Sequence, residues 1–556
     1  MPVRRLLLVM ALCLVAWLSL LPARGVWAPD EARYAEVTRE MRQSQSWLIP
    51  KLNGRLYTQK PPLFFDAARI ASLPAKDVPE WAVKVPSLAG ALLTLLFLGL
   101  IAARLAGPKA LWLAPLLLGT MVKFSWQAQF GQIDMMLTAL VVAQVYVGLR
   151  FSSGQGRRWG GIALLAFLGT AGVLTKGPVG CLLPWLILLV YFSARRDWKT
   201  LVRLGLHYAV PLVLILCGAW LLYAGWSQGW DYPHGLLFKQ SVQRYFEPWH
   251  HKAPFYYFLG ILFTDGLPFS VLLVPAIAPL IRGSRWKEPG ALLPLVWMAV
   301  YLVFFSLSPA KRSVYILPLF PAMALLLAYA FLNVEQGAWS FKGFGRTLGG
   351  LALLFAVLGV VGISEVPAGF RYLAGWLAVG AALLVAGCLT AWVLGARGKT
   401  TAGISAMALL SLLFFALTGG VVARVLDQVK TPRSLGEAIH RRVERGAEVG
   451  IFPSLVPSIN YYGECTTRVF GLRRKKEAMT FLSSGGDRLL IVKEDDWGSK
   501  TTPGIKTLER SRIGRARYLL LEWKDKTGGE KNAYQPAESA AATTSSRSGT
   551  LKGLAR

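Results

Sequence analysis

Long apolar runs dominate this chain and most constrain what it can fold into. A helix needs about 17 to 25 mainly apolar residues to cross the roughly 30 Å hydrocarbon layer of a membrane. We therefore expect an α-helical, multi-pass membrane protein. We expect the first span to be retained, because no small-x-small signal-peptidase site follows it. The sequence predicts about thirteen spans, at 6–22, 84–103, 110–123, 131–149, 159–175, 178–193, 202–226, 254–281, 290–307, 313–332, 346–363, 371–395 and 402–420.

The charge balance excludes one other class of protein. The chain has 61 Lys and Arg against 30 Asp and Glu, a formal charge of +31, yet only 16% of its residues are charged. A nucleic-acid-binding protein presents its basic face on a soluble fold, and soluble domains carry about 25% charged residues. Here most cations lie between apolar runs, as they do in the loops of membrane proteins. We therefore expect no nucleic-acid partner.

The Lys and Arg residues between the spans predict an orientation. If the N-terminus is cytoplasmic, every inner loop is basic, as the positive-inside rule requires, and an odd number of spans places the C-terminal region outside. Three places on the outer side break the rule: the segment 24–80, Lys176, and the pair Lys311-Arg312. Cations set against the topological preference suggest that an anion binds there.

The chain divides into three predicted parts. Residues 1–420 form the membrane domain, with long outer loops at 23–83 and 227–253. Residues 421–525 alternate between helix and strand patterns, which predicts a small α/β domain. Its helices are expected at 434–445 and 458–462, and its strands at 449–452, 467–470, 488–492 and 518–523. Residues 526–556 are rich in Gly, Ser, Ala and Thr, which predicts a disordered tail.

The first outer loop is too long to be a simple connector. Its pattern predicts two interfacial helices, one capped by Asp30 and one that starts after Pro61-Pro62. Asp30 and Glu31 directly follow a span, and Arg33 and Lys60 come after them. This grouping favours a catalytic role for Asp30 over a plain helix cap, although one residue could serve both purposes.

Six short motifs occur in consistent order over about residues 5 to 420. They are Pro29-Asp30-Glu31-Ala32-Arg33-Tyr34, Lys60-Pro61-Pro62, Gly131-Gln132-Ile133-Asp134, Leu174-Thr175-Lys176-Gly177-Pro178, Pro254-Phe255-Tyr256-Tyr257 and Lys311-Arg312-Ser313-Val314-Tyr315-Ile316-Leu317-Pro318. Together they resemble the bacterial aminoarabinose transferases of lipid A, within the protein O-mannosyltransferase-like superfamily with the GT-C fold. The resemblance implies a glycosyltransferase of the bacterial inner membrane that works at the periplasmic face. It would move a sugar from a polyprenyl (undecaprenyl) phosphate to lipid A or a related envelope acceptor, with inversion.

The resemblance also implies roles for individual residues. Asp30 would be the principal catalytic carboxylate, and Asp134 a second acidic residue of the same cavity. An ionisable group at membrane depth is a functional-site hypothesis by default. Asp134 could instead be a structural partner of Arg33 or Lys60.

Cations near the donor phosphate would stabilise the charge that grows as the glycosidic bond breaks. Arg244 could also be an ordinary interfacial arginine, and Lys176 is read mainly as a structural element with some phosphate contact. The predicted phosphate-binding residues are Lys60, Arg244, Lys311, Arg312 and Tyr315, and the other predicted pocket residues are Glu31, Arg33 and Tyr34.

No cofactor is expected from the sequence, and a divalent metal is only weakly supported. The adjacent residues His250 and His251 are poor joint ligands for one ion. Gln59 and Ser241 stand where the family often has an acidic residue and a histidine. These departures weaken an inherited metal site and suggest a different sugar or acceptor.

Other functions remain open at this point. The acceptor could be a core oligosaccharide, another glycolipid or a protein hydroxyl, as in the protein O-mannosyltransferases. A lipid or sugar transporter is the non-enzymatic alternative. Transporters tend to place charges on broken helices at the bilayer midplane and to contain internal repeats. Here the charges cluster at one interface and no repeat is visible, so the enzyme is favoured.

Overall fold

The computed structural model describes residues 1–152, 154, 157–238, 252–283, 285–366, 370–484, 486–498 and 504–524. In this part of the chain, ten helices are long and apolar enough to cross a membrane. A helix pair bent by 113°, Tyr257–Asp265 with Ser270–Arg282, makes eleven if it counts as one span. The ten are Pro2–Ala23, Glu80–Ala106, Ile133–Ser152, Arg158–Lys176, Trp198–Gln228, Pro289–Leu307, Ser313–Glu335, Lys342–Ser364, Tyr372–Ala396 and Thr400–Lys430.

Two shorter apolar helices, Ala110–Gly119 and Val179–Ala194, occupy the remaining predicted segments. Each of the thirteen segments therefore coincides with a helical element, and the multi-pass membrane architecture is confirmed. The number of crossings stays a prediction, because a helix of 10 residues rises only about 15 Å. The last long helix continues to Lys430, ten residues beyond the end at 420 that hydropathy suggested.

The central helix of the bundle is Ser313–Glu335, with 94% of its apolar stretch buried. It starts as a 3₁₀ helix over Ser313–Leu319 and becomes α-helical from Phe320. Pro318 and Pro321 lack the backbone N–H that α-helical bonds need, which favours the tighter opening turns. A helix that is apolar all round belongs in the interior. Its first turn places Arg312 at the end of the bundle that carries the segment 24–80, which we call the domain end.

The segment 24–80 folds into two helices, Asp30–Gln43 and Leu63–Ser72, around a small antiparallel hairpin. Strands β1 (Lys51–Leu52) and β2 (Arg55–Leu56) are joined by Asn53 and Gly54, both with positive φ. Asn-Gly is the sequence that such two-residue turns prefer. The second helix begins directly after Pro62, as predicted.

The Asp30–Gln43 helix is present and packs inside the protein at the domain end of the bundle, and its position in the membrane interface stays a prediction. Eleven of its fourteen residues are buried, and it packs between the helices Leu63–Ser72, Glu80–Ala106 and Pro457–Gly463. Its charges are satisfied internally: Arg39 donates to Glu36, and Glu40 accepts backbone hydrogen bonds from the hairpin. Glu36, Arg39 and Glu40 are therefore paired within the protein.

The C-terminal region forms a five-stranded sheet flanked by helices, which confirms the small α/β domain. The strands are β3 (Glu448–Phe452), β4 (Arg468–Val469), β5 (Arg488–Lys493), β6 (Ile505–Ile513) and β7 (Ala516–Trp523). Their order is β4-β3-β5-β7-β6, with β4, β3 and β5 parallel and the last two antiparallel. Helices Arg433–Val443, Pro457–Gly463, Lys475–Ser483 and Glu494–Trp497 complete it.

This domain rests directly on the segment 24–80. Asn53 accepts from the backbone N–H of Thr467 at 2.8 Å and from the amide of Asn460 at 2.9 Å. The hydroxyl of Tyr462 donates to Glu80 at 2.7 Å. The hydroxyl of Tyr461 donates to the carbonyl of Val78 at 2.8 Å. The sheet domain thus covers the Asp30–Gln43 helix and helps to fix its position.

Candidate functional site

Asp30 is the first residue of its helix, but its side chain does not cap that helix. The N-cap is Pro29, and no side-chain cap hydrogen bond is present. Instead, Oδ2 of Asp30 accepts a hydrogen bond from Nη2 of Arg312 at 2.5 Å. Oδ1 lies 3.6 Å from Nη2 of Arg33. The carboxylate is therefore held between two guanidinium groups from different parts of the chain.

This environment keeps Asp30 ionised. Burial alone would raise the pKa of the carboxyl group, but Arg312, Arg33 and Lys60 together bring it below its ordinary value. For the same reason the pKa of Arg312 is raised: Asp30 outweighs the effect of burial, and Asp134 adds to it. At neutral pH the pair is a carboxylate and a guanidinium, partly shielded from solvent.

Asp134 lies in the same region but has a different partner. It is the second residue of the Ile133–Ser152 helix and is buried. Its Oδ1 accepts from the ammonium of Lys176. That ammonium also lies 5.0 Å from the centroid of the Tyr315 ring. The sequence suggested Arg33 or Lys60 as a structural partner of Asp134. In the structure the partner is Lys176.

Arg33 and Tyr34 form the side of the site that faces the hairpin. Nη1 of Arg33 donates to Oε1 of Gln59 at 2.9 Å, and the hydroxyl of Tyr57 also interacts with Arg33. Tyr34 is buried, with its ring 5.7 and 5.5 Å from the rings of Phe64 and Phe65. These contacts fix the helix turn that presents Asp30.

Glu31 lies outside the cluster around Asp30. It forms a fully buried ion pair with Arg24 at 2.5 Å and accepts from the backbone N–H groups of Trp27 and Gly131. Consecutive residues on a helix point about 100° apart, so Asp30 and Glu31 face different neighbours. We assign Glu31 to holding the loop in place.

Lys311 also points away from Asp30. Its ammonium donates to the carbonyl oxygens of Ser306 at 3.0 Å and Ser308 at 2.5 Å. Arg312 has an extended backbone, φ −135° and ψ 137°, and side chains of neighbouring extended residues project to opposite sides. Of the two adjacent cations, the structure brings only Arg312 to the carboxylate. Arg244, Ser241, His250 and His251 lie outside the described residues.

One ion pair beside the site was missed. Nζ of Lys123 lies 3.3 Å from Oδ2 of Asp265 and donates to the hydroxyl of Ser313 at 2.8 Å. Ser313 directly follows Arg312, so this pair anchors the backbone that presents Arg312. The signal was present in the sequence, since Lys123 is a further cation at the outer end of a predicted span. Lys123 lies within an apolar run and not in a loop, which conceals it among span residues.

Within the described ranges, no group of three or more His, Cys, Asp or Glu side chains could hold a metal ion. Gln59 accepts a hydrogen bond from Arg33. The described side chains of the site are two carboxylates and the cations around them.

The fold and this cluster define a class: a multi-pass membrane protein that gathers acidic and basic side chains at the domain end of its bundle. The chain matches the family of dolichyl-phosphate-mannose-protein mannosyltransferases over residues 59–223. It is also similar to undecaprenyl phosphate-α-4-amino-4-deoxy-L-arabinose arabinosyl transferases. The protein from Edwardsiella ictaluri is 31% identical over 365 residues, and the one from Erwinia tasmaniensis is 29% identical over 480.

The coverage of these relatives differs. The match to the Edwardsiella protein includes 62% of this chain and spans 64% of that protein's length. The match to the Erwinia protein includes 78% of this chain and 80% of that protein. A third relative, arabinosyl transferase 2 from Pseudomonas fluorescens, is 31% identical. That match includes 64% of this chain and 63% of that protein.

The fold has a solved counterpart. The crystal structure of ArnT from Cupriavidus metallidurans bound to undecaprenyl phosphate superimposes with a TM-score of 0.77 and 22% sequence identity. The superposition covers 94% of this chain and 99% of that one. This superposition confirms the predicted fold, and the relatives above confirm the resemblance to aminoarabinose transferases.

Proposed function

We propose that this protein is a membrane glycosyltransferase that moves a sugar from undecaprenyl phosphate, or a related polyprenyl phosphate, to lipid A or a similar envelope acceptor. The observation that carries the proposal is the Asp30 carboxylate held between Arg312 and Arg33, with Lys60 close enough to lower its pKa. The named relatives, and the lipid phosphate bound to a protein of the same fold, support this choice of donor.

We propose further that the reaction takes place at the periplasmic face of a bacterial inner membrane. The N-terminus would be cytoplasmic and the sheet domain periplasmic. The distribution of Lys and Arg between the spans supports this orientation. The clustering of charge at one end of the bundle favours an enzyme over a transporter.

In the proposed reaction, an oxygen of the acceptor attacks the anomeric carbon of the sugar. The bond between that carbon and the phosphate oxygen breaks, and the electron pair leaves with the polyprenyl phosphate. A single displacement inverts the anomeric centre. Cations that hold the phosphate stabilise its growing charge more in the transition state than in the ground state. Lys60 and Arg312 are proposed for this task, with Tyr315 as a hydroxyl donor.

The acid strength of Asp30 bears on the choice of acceptor. A hydroxyl group must lose a proton as it attacks, and an efficient general base has a pKa near the working pH. The pKa of Asp30 is held below its ordinary value, so Asp30 is a weak base. A phosphate group of lipid A is already an anionic nucleophile and needs orientation rather than deprotonation. This favours a phosphate acceptor, with Asp30 positioning the sugar or acceptor electrostatically.

A protein acceptor is the second candidate. The family that matches residues 59–223 is described as a protein mannosyltransferase family, and its acceptor by name is a protein. This alternative would require Asp30 to work as a base despite its low pKa. We therefore rank it below lipid A.

The test is a transfer assay with purified protein in liposomes and undecaprenyl phosphate-linked aminoarabinose. Three acceptors are compared: lipid A, lipid A without its phosphates, and a peptide rich in Ser and Thr. We expect product only with phosphorylated lipid A. Product on the peptide alone would establish the second candidate, and no product with any acceptor would count against this donor. Asp77→Asn, a carboxylate of the same loop outside the cluster, should retain activity.

A further inference from the structure

A groove lies at the end of the bundle opposite to Asp30. The helix Ser313–Glu335 starts beside Arg312 and ends at Glu335, and the first residue that lines the groove, Phe341, comes six residues later. It has a volume of about 600 Å³ and lies between the start of the helix Lys342–Ser364 and the end of the helix Tyr372–Ala396. Its lining residues are Phe341, Lys342, Gly345, Arg346, Gly349, Leu389, Trp392 and Ala396.

Two cations, Lys342 and Arg346, stand at the mouth of the groove. Lys342 and Arg346 are four residues apart on one helix, so their side chains project from the same face. No carboxylate lines the groove, and within the described ranges neither side chain forms an ion pair. The nearby Glu335 is already engaged by Lys109 at 2.8 Å and by the backbone N–H of Thr401 at 2.7 Å. The mouth therefore offers positive charge to an anion.

The body of the groove is apolar and open to the surroundings. Leu389 and Trp392 are 42% and 47% exposed along one wall. Gly349 provides open space on the other wall, because a Cβ added there would meet no atom within 4 Å. An open apolar surface of this kind can accommodate an extended hydrocarbon chain. A small soluble anion would use only the mouth.

We propose that this groove binds one anionic phospholipid from the leaflet opposite to the Asp30 site. Its phosphate lies between Lys342 and Arg346, and one acyl chain runs along Gly349 and Leu389. Basic pockets between membrane-spanning helices on the cytoplasmic side are suited to anionic head groups. This end of the bundle is the one predicted to face the cytoplasm. The site is separate from the proposed reaction and does not depend on it.

The proposal is tested by native mass spectrometry of delipidated protein titrated with phosphatidylglycerol or phosphatidylcholine. We expect one phosphatidylglycerol molecule to bind to the wild type, at least about tenfold more tightly than phosphatidylcholine, because two cations contact its phosphate. The double variant Lys342→Gln/Arg346→Gln should weaken that binding by about tenfold or more. Gly349→Leu should do the same by filling the groove without changing any charge.

Two matched controls separate the groove from general surface effects. Lys199→Gln/Arg203→Gln removes two exposed cations with the same four-residue spacing from another helix at the same predicted face. Gly350→Leu adds the same side chain one position away, where a Cβ also meets no atom within 4 Å. Both should bind phosphatidylglycerol as the wild type does. The proposal is overturned if the groove variants bind normally, if the controls lose as much affinity, or if phosphatidylcholine binds equally well.

Discussion

Nη2 of Arg312 lies 2.5 Å from Oδ2 of Asp30, across 282 residues of chain. This contact joins the first turn of the Asp30–Gln43 helix to the start of the central helix Ser313–Glu335. It explains why a loop segment and a membrane-spanning segment build one site. It also sets the protonation state of the carboxylate on which the proposed reaction depends.

Removal of Arg312 should change the acidic side of the pH profile. Because Arg312 lowers the pKa of Asp30, the ionised form persists as pH falls until that lowered pKa is reached. In Arg312→Gln the pKa rises, so transfer activity should be lost at a higher pH than in the wild type. The check is the pH dependence of turnover at saturating donor. The control is Arg55→Gln, which removes an exposed cation of the hairpin and should leave the pH profile unchanged. If the acidic limb of the Arg312→Gln profile lies at the same pH as in the wild type, the pairing of Arg312 with Asp30 is contradicted.

Asp134 and Lys176 should be coupled in stability. Both side chains are at most 10% exposed, and removal of one partner from a buried ion pair costs about 3 kcal/mol or more. Asp134→Ala and Lys176→Ala should each lower the thermal unfolding temperature in detergent, and the double variant should lose less than the sum. The exposed pair Lys109 and Glu335 is the control, with expected coupling below about 1 kcal/mol. Additive losses at Asp134 and Lys176 would show that no such pair forms.

Asn53 should hold the sheet domain against the hairpin. Asn53→Ala removes one hydrogen bond with Asn460 and two with Thr467, each worth about 1 kcal/mol. We expect faster proteolysis and faster amide hydrogen exchange in the segment 457–470. Arg55→Ala, on the same hairpin, should leave both rates unchanged. Equal rates in Asn53→Ala and the wild type would mean that other contacts hold the sheet domain against the hairpin.

Asp66 should make the protein less stable as pH rises. Burial raises its pKa to about 7, only partly opposed by Arg69, and its Oδ1 has no hydrogen-bond partner among the described residues. The unfolded chain releases this proton near pH 4 and the folded chain near pH 7, so stability falls across that window. Asp66→Asn should flatten this dependence in thermal unfolding measured from pH 4 to 8. A slope as steep as that of the wild type would assign the effect to another group.

The membrane architecture was predictable because hydropathy is a local property. Every predicted apolar segment coincides with a helix in the structure. The C-terminal strand β6 was missed because its sequence, Ile505-Lys506-Thr507-Leu508-Glu509-Arg510-Ser511-Arg512-Ile513, is highly charged. It lies at the edge of the sheet, where charged residues discourage pairing with other chains. The charged residues of β6 suit its position at the sheet edge, and they obscure the alternation of apolar and polar residues that predicts a strand.

The site was only partly predictable, since contacts between distant segments decide which side chain faces which. The motifs identified Asp30, Asp134 and Arg312 as candidates, and the structure places all three in one electrostatic cluster. They could not reveal that Asp134 pairs with Lys176. Nor could they separate Arg312 from Lys311, because that choice depends on the backbone direction at one residue.

The central claim is that cations around Asp30 bind the lipid phosphate while Asp30 itself serves the reaction. The most direct measurement compares affinity for undecaprenyl phosphate with turnover in Asp30→Asn and Lys60→Ala, with Lys51→Ala as the control. We predict that Asp30→Asn binds undecaprenyl phosphate at least as tightly as the wild type but loses about a hundredfold or more in turnover. Lys60→Ala should weaken that affinity by about tenfold. Full turnover by Asp30→Asn, or unchanged affinity in Lys60→Ala, would contradict the account.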